Sequence, residues 1–316
     1  MNILIVGGTG MIGGHAALHL VAQGHEVVLG ARKPPAPETP IAGLPCLLRD
    51  YTRDAFLPED LAPFDGIVFA AGNDIRHLRS GVDENAFWAD TQIEGVPRFV
   101  KRAREAGVSR VVHIGSYYHQ AMPRLAATNA YVRARQLADE GARALATAQF
   151  NVSTLNPPSI VGMLPGVPAR RYENLLAWAS GNRPDIPLFA PPGGTNYMSV
   201  RSLCEAIAGA LHHAESGRAY LVGDENLSFR DFFQMFFDAA GSSVRLETRD
   251  EEHPFLPDAF IVPGRGSVLA YEPEPAETAR LGYGRRDVRR AVGEIVAQVG
   301  AQVGAATGAV RQSPGR

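Results

Sequence analysis

The apolar positions in the first half of the chain alternate between short continuous runs and helical spacing. Residues 2–6 form a short run rich in β-branched side chains, which is typical of a strand buried on both faces. Amphipathic spacing predicts long helices at 83–106 and 130–148. Similar apolar runs predict further strands at 26–30, 46–50, 66–71, 108–115 and 151–155. This alternation predicts an α/β fold with a doubly wound parallel sheet.

A glycine-rich turn joins the first strand to the first helix. Gly7 permits a tight turn, Gly10 lets the backbone approach a pyrophosphate, and Gly13 lets the helix pack closely on the strand. The free amides and the positive dipole end of the helix then favour phosphate groups. This context predicts a Rossmann dinucleotide site. The residues expected to contact the dinucleotide in this turn are Gly7, Thr9, Gly10, Met11, Ile12 and Gly13.

After Pro157 the pattern changes, because prolines become dense up to Pro192. The elements predicted beyond this point are helices at 172–180, 203–213, 231–240 and 286–303 and strands at 196–200 and 219–222. We therefore predict a dinucleotide-binding domain at 1–157, a smaller mixed α/β substrate-binding part at 158–300, and a flexible tail at 301–316. The strand at 196–200 and parts of the later chain are candidates for packing back on the first domain.

Composition narrows the class of protein. A net charge of −2 over 316 residues gives no case for nucleic acid or an anionic membrane as a partner. Cys46 and Cys204 cannot by themselves form a disulfide framework or a metal site. No apolar run approaches the roughly 20 residues that span a bilayer, and no signal peptide precedes the first strand. We expect a cytoplasmic protein that acts on a small molecule and holds no metal.

The end of the second strand bears on the choice of cofactor. A fold that takes NAD usually places an acid there, for the ribose 2′-hydroxyl. This chain has Arg32 and Lys33 instead. An arginine can donate two hydrogen bonds to a 2′-phosphate, which an acid would repel. We therefore expect NADP(H), with NAD less favoured.

Three further residues suggest hydride transfer between the nicotinamide and a ketone or secondary alcohol. Ser116 follows the fifth strand at the carboxyl edge of the sheet, where open α/β folds bind ligands. Tyr131 and Arg135 are four residues apart near the start of a helix, so they share one face. A phenol beside a cation is suited to donating or accepting the proton, because the cation stabilises the phenolate.

These stretches resemble the extended short-chain dehydrogenase/reductase family over nearly the whole chain. Residues 6–13, 155–162, 198–203 and 220–228 are similar to family signatures, closest to its dihydroflavonol-reductase-like and epimerase/dehydratase branches. The resemblance implies that Ser116 orients the substrate carbonyl, that Tyr131 transfers the proton, and that Asp50 contacts the adenine. Further cofactor contacts expected on this basis are Tyr51, Ala70, Ala71, Gly72, Tyr131, Arg135, Pro157 and Ser159.

The chain also departs from the family pattern. The motif Tyr-x-x-x-Lys becomes Tyr-x-x-x-Arg, with Arg135 in the last position, Gln92 stands where an Asn is usual, and Ser202 where an Asp is usual. Two alternatives to a reductase therefore stay open. One is a sugar-nucleotide-type epimerase or dehydratase with bound NAD, and the other is a non-catalytic NADP-binding regulator. In this family the helices matching 83–106 and 130–148 often form a four-helix contact, so a homodimer is also expected.

Overall fold

The computed structural model describes residues 1–53, 55–78 and 80–311, with side chains described up to residue 302. Seven parallel strands form the main sheet: β1 Asn2–Val6, β2 Glu26–Ala31, β3 Cys46–Leu48, β4 Gly66–Phe69, β5 Arg110–Ile114, β6 Asn151–Leu155 and, from much later in the chain, Ala219–Tyr220. Six smaller strands lie in the C-terminal part: β7 Ser159–Val161, β8 Phe189–Ala190, β9 Gly194–Ser199, β11 Glu225–Ser228, β12 Glu247–Thr248 and β13 Val268–Leu269, with Ala219–Tyr220 as β10.

Twelve α-helices accompany these strands in the described residues. They are α1 Met11–Ala22, α2 Pro58–Leu61, α3 Glu84–Trp88, α4 Gly95–Glu105, α5 Tyr118–Ala121, α6 Leu125–Thr128, α7 Ala130–Arg143, α8 Arg170–Ala179, α9 Val200–His213, α10 Phe229–Ala239, α11 Pro275–Leu281 and α12 Val288–Arg311. A π-helical segment, Ala89–Ile93, separates α3 from α4.

The order of strands in the main sheet is β10-β6-β5-β4-β1-β2-β3, with every neighbouring pair parallel. The chain moves outward in one direction from β1 to β3 and in the other from β4 to β10. The crevice where the order reverses lies beyond the carboxyl ends of β1 and β4, which is where such folds bind ligands. The predicted fold class is confirmed.

Two hydrophobic layers cover the sheet. Helices α1 and α9 pack on one face together with apolar residues of the strands, and α4 and α7 pack on the other. The strands carry apolar side chains towards both layers: Ile3 and Ile5 lie in the first core and Leu4 and Val6 in the second, and all four are almost fully buried. Burial on both faces explains why these strands are continuous apolar runs.

The C-terminal part has a core of its own. Helix α10 places phenylalanines on one face against Trp178 of α8 and the apolar stripe of α12. Ser228 begins α10 as an N-cap, since its side chain accepts a hydrogen bond from the Asp231 amide, as the sequence predicts. Strands β7, β9, β11 and β13 form a second sheet beside this core.

The structure adds detail to the sequence-based elements in three places. The helix predicted at 83–106 contains the π-helical segment, in which the Glu94 amide donates to the Ala89 carbonyl. The strand predicted near 196–200 is β9 of the second sheet, although its Met198 packs in the core of the first, and α9 and β10 also return to the first sheet. The tail predicted at 301–316 continues as α12 up to Arg311, while residues 312–316 lie outside the described part.

No helix in the described residues is long and apolar enough to cross a membrane.

The homodimer remains a prediction, and the fold indicates which helices would form its interface. Helices α4 and α7 pack side by side on one face of the sheet, and Pro97 of α4 lies against Gly141 of α7. We expect a two-fold dimer through the outer faces of these helices at micromolar concentration. Sedimentation velocity measures this directly, and a single monomeric species throughout that range would contradict it.

Candidate active site

The turn after β1 is packed too tightly for side chains at several of its glycines, among them Gly7 and Gly13. Gly7 has a φ of +82°, and a Cβ there would lie 2.7 Å from the Ala71 nitrogen. A Cβ on Gly13 would lie 2.3 Å from the Gly7 carbonyl oxygen. Both glycines are therefore required by the fold itself, one for the turn and one for the packing of α1 on it.

Gly10 is different, because the protein leaves more room around it. The nearest atom to a Cβ at Gly10 is the Gly7 oxygen at 3.3 Å, and the residue is exposed. Gly10 is also the N-cap of α1, and it provides no side-chain cap for the amides of the first turn. An uncapped helix start beneath an open glycine fits the pyrophosphate of a dinucleotide. Thr9, Met11 and Ile12 lie half-buried along the same turn.

An open cavity of about 480 Å³ lies at the end of β2, where the adenosine end of a dinucleotide is expected. Its described lining includes Arg32, Arg49 and Arg53 but only one carboxylate, Asp50. Arg49 is held by Asp60, with hydrogen bonds of 2.9 and 3.0 Å. Arg32 and Lys33 are exposed, and so is Arg53, whose guanidinium is 3.9 Å from Asp50.

Arg53 was not predicted from the sequence to line this cavity, although it follows Asp50 by only three residues.

Tyr51 lies beneath the site rather than facing it. Its hydroxyl donates to the Thr91 carbonyl at 2.8 Å and accepts from the Asn73 amide at 3.0 Å. Burial raises the pKa of Tyr51 to about 12, so the hydroxyl stays protonated and keeps its donor role. The structure thus places Tyr51 as a support for the segment after β4. In that segment Ala70 and Ala71 are half-buried and Gly72 is exposed.

Helix α7 carries two of the predicted chemistry-bearing residues, Tyr131 and Arg135, and the third, Ser116, follows β5. Asn129 caps the helix, since its side chain accepts from the Val132 amide at 3.0 Å. One turn further on, Arg135 is 5% exposed and donates from Nη2 to the Ile114 carbonyl, the last residue of β5, at 2.8 Å. Ser116, two residues past Ile114, is also buried, whereas Tyr131 is half-buried.

Two of the three departures from the family motifs, Arg135 and Gln92, contact each other. Nη1 of Arg135 donates to the Gln92 side-chain oxygen at 3.2 Å, and the Gln92 amide donates to the Asn73 carbonyl at 3.1 Å. Gln92 is fully buried within the π-helical segment. Gly95 allows this segment to form, because a Cβ there would lie 1.9 Å from the Asp90 carbonyl oxygen. π-Helical turns are frequent at functional sites.

One hydrogen-bond donor of the Arg135 guanidinium is unpaired. Its Nε is buried and has no hydrogen-bond partner within the protein. Nη1 lies 3.6 Å from the position of a Cβ on Gly72, so the guanidinium borders the segment expected to face the cofactor. An unpaired buried donor at this place fits a ligand acceptor such as a nicotinamide ribose hydroxyl.

Aromatic rings surround Tyr131. The ring centroids of Trp88 and Tyr118 lie 5.4 and 6.2 Å from that of Tyr131. Tyr117 stacks on Tyr118 at 4.2 Å, and its hydroxyl hydrogen-bonds Thr195 at 2.8 Å. We define Trp88, Tyr117, Tyr118 and Tyr131 as the aromatic wall; Trp88 and Tyr117 are buried, and Tyr118 and Tyr131 are half-buried.

The turn after β6 packs against the segment after β5. Pro157 is buried and its carbonyl accepts from the Tyr117 amide at 3.3 Å, while Ser159 is half-buried at the start of β7. His113 inside β5 is a core residue that is almost fully buried, and this burial together with the nearby charge of Arg135 lowers its pKa to about 3. Ser202 lies away from these residues, buried at the start of α9, and its hydroxyl accepts from that of Ser199 at 3.0 Å.

Together, a glycine turn at the switch point of a doubly wound sheet and a serine, tyrosine and arginine at the end of β5 define a dinucleotide-binding α/β protein. The chain belongs to the NAD-dependent epimerase/dehydratase family, whose model matches residues 3–223. The resemblance to extended short-chain dehydrogenases/reductases is thereby confirmed at the level of the family.

Individual relatives are distant. Sterol demethylase protein B of Methylococcus capsulatus is 24% identical, over 76% of this chain and 75% of that protein. The Bordetella bronchiseptica enzyme WbmG, in complex with NAD and UDP, superposes with a TM-score of 0.70 at 19% identity over 95% of each chain. UDP-glucuronic acid 4-epimerase from Bacillus cereus, in complex with NAD, gives 0.69 at 13% identity, over 96% of this chain and 99% of that one. These structural likenesses establish the fold.

Proposed function

We propose that this protein is an NADP(H)-dependent oxidoreductase that interconverts a ketone and a secondary alcohol. The observation that carries the proposal is the position of α7, whose Arg135 binds the last carbonyl of β5, two residues before Ser116, and whose Tyr131 lies one turn earlier on the same helix face. A proton donor, a fixed cation and a hydroxyl at the switch-point crevice are what carbonyl reduction requires.

The proposed roles follow from the positions of the side chains. When bound, the nicotinamide supplies or accepts the hydride at the carbonyl carbon. In reduction, the Tyr131 hydroxyl gives its proton to the carbonyl oxygen and recovers one from solvent. The Ser116 hydroxyl donates to the same oxygen and orients it. Arg135, fixed between Ile114 and Gln92, stabilises the phenolate and offers Nε to the cofactor ribose.

We propose a mostly apolar, neutral substrate. The aromatic wall supplies apolar rings beside Tyr131, and the name of the sterol demethylase relative is consistent with an apolar ring system. The alternative is an epimerase acting on a sugar nucleotide with retained NAD, which WbmG and the Bacillus epimerase favour through their bound NAD.

One panel separates these possibilities. Purified protein and NADPH are mixed with alicyclic and sterol-type ketones and, separately, with UDP-sugars, and the reduced-nicotinamide absorbance is followed. Loss of absorbance with a ketone supports the proposal. Conversion of a UDP-sugar without net cofactor change would instead indicate an epimerase. Tight NADPH binding with no conversion of either set would indicate a non-catalytic NADP-binding regulator.

The choice of NADP(H) makes a separate prediction at Arg32. Its exposed guanidinium lies in a cavity where arginines outnumber carboxylates, so wild type should bind NADPH more tightly than NADH. Arg32→Asp replaces a donor to the 2′-phosphate with a repelling acid, which should weaken NADPH binding by about 10- to 100-fold and favour NADH. Calorimetric titration of both cofactors measures the change.

The control for Arg32→Asp is Arg245→Asp, which alters the net charge equally at an exposed position of the C-terminal part. It should leave both affinities as in wild type. A wild-type preference for NADH would overturn the NADP(H) assignment.

A further inference from the structure

A fully buried carboxylate lies on α7, two turns beyond Tyr131. Asp139 is 0% exposed and shares its helix face with Tyr131 and Arg135, because the three are spaced by four residues. Its Oδ1 accepts from Arg143 at 2.5 Å, and its Oδ2 accepts from His119 at 3.0 Å. Burial alone would raise the pKa of Asp139, but these two hydrogen bonds hold it below its usual range, so the group is a carboxylate.

The same Oδ2 atom also contacts the side chain of Asn156. Nδ2 of Asn156 donates to Asp139 at 3.3 Å and to the Gln120 side-chain oxygen at 2.8 Å. On the other side of the amide, Oδ1 of Asn156 accepts from the Ser116 backbone amide at 2.8 Å. Asn156 is itself fully buried, so water does not compete for these hydrogen bonds.

The chemistry of a carboxylate fixes the orientation of this amide. An ionised aspartate only accepts hydrogen bonds, whereas an amide both donates and accepts. Asp139 can therefore face only the NH₂ group of Asn156, and this leaves the oxygen to face Ser116. The fit is close, because a Cβ on Gly115 would lie 1.9 Å from that oxygen. A glycine immediately before Ser116 is what lets the amide lie against the loop.

We propose that Asp139 is a positioning residue for Ser116, acting through the Asn156 amide. One helix then carries the proposed proton donor, its cation and the group that fixes the partner hydroxyl, so the three keep a constant geometry. Asp139 itself does not touch the substrate. The catalytic consequence rests on the role proposed above for Ser116, but the positioning itself can be measured without turnover.

The first test is the rate of hydrogen exchange at the Ser116 backbone amide, measured by NMR on the whole protein. Asp139→Asn lets residue 139 present either a donor or an acceptor, so the Asn156 amide loses one of the two groups that fix its orientation and keeps only the Ser116 amide. We expect the Ser116 amide to exchange about tenfold faster, while the amides of Val111 and Val112 in β5 keep their wild-type rates. Glu140→Gln, at the neighbouring exposed position, should change none of them.

An unchanged exchange rate at Ser116 would overturn the proposal. An equal increase throughout β5 would also overturn it, because it would show that Asp139 only stabilises the fold. If Asp139→Asn does not fold, Asp139→Glu takes its place with the same expectations. This variant keeps the negative charge beside His119 and Arg143 but displaces the carboxylate from the Asn156 amide.

A double-mutant cycle on kcat is the second test, with a ketone that passes the panel. Asp139→Asn alone should lower kcat by about 10- to 100-fold with little change in NADPH affinity. In a Ser116→Ala background the same substitution should change kcat by less than about twofold, because its route of action is gone. Additive losses would overturn the proposal. If wild type reduces no ketone, the proposed function fails while the exchange experiment still decides this inference.

Discussion

Replacing Tyr131 with phenylalanine should lower the rate of ketone reduction by roughly two to four orders of magnitude, since it removes the proton donor. The substitution deletes one hydroxyl and keeps the ring that packs between Trp88 and Tyr118. Folding and cofactor binding should therefore survive. Single-turnover measurements with saturating NADPH isolate the chemical step, and the loss should fall on kcat rather than on cofactor affinity.

Tyr220→Phe is the matched control for Tyr131→Phe. Tyr220 is fully buried on β10 at the edge of the sheet, and its hydroxyl accepts from the Glu215 amide at 2.8 Å. Removing that hydroxyl should cost some stability but leave the catalytic rate close to that of wild type. A Tyr131→Phe variant as fast as wild type would remove Tyr131 from the mechanism.

The parts of the fold that the sequence predicts well are those set by local pattern. The segment from β1 through the glycine turn to α1 was predictable because each feature is read within about fifteen residues: a run of buried apolar positions, a turn that needs glycine, and a helix start. Ser116, Tyr131 and Arg135 could likewise be placed at one sheet edge, because each adjoins β5 or begins the next helix. Their catalytic roles remain predictions.

Features that depend on distant contacts were missed. The π-helical segment needs Gly95 to lie against the Asp90 carbonyl, which no hydrophobic pattern reveals. The return of later parts of the chain to the first domain was expected, but the pairing of β10 with β6 across more than sixty residues was not. Asp139 was missed because a lone acid in a helix usually faces water. Its signal was the four-residue spacing from Arg135, on the face that packs inward.

Helix α12 is longer than its sequence suggests. Its glycines and alanines after residue 300 resemble a flexible tail, since glycine disfavours helix and the stretch has few large apolar residues. The structure nevertheless continues the helix to Arg311. Contacts of the first turns with α8 and α10 explain this, because a helix already nucleated by tertiary packing adds further residues easily.

Substitutions of Arg135 can separate the effect of its charge from that of its hydrogen-bonding geometry. Its guanidinium holds two acceptors at once, the Ile114 carbonyl and Gln92, and through Gln92 it also ties down Asn73. Arg135→Met removes the charge and leaves the buried oxygen of Gln92 without this donor, which should cost about 1–3 kcal/mol of stability. We expect the same variant to lose at least about tenfold in kcat, because the Tyr131 phenolate loses its cation.

Arg135→Lys separates the two effects. A lysine keeps the charge but, as a compact ammonium, it cannot reproduce the planar fork that reaches both acceptors. If charge is what matters, this variant should retain or exceed wild-type activity, and if the fork is also needed for placing the phenol, activity should fall only in part. Arg133→Met, two residues away and exposed, controls for loss of a cation from the same helix. Rates across pH with saturating NADPH decide the matter: an Arg135→Met variant with the wild-type rate and pH profile would show that Arg135 is structural and that the proposed pair is wrong.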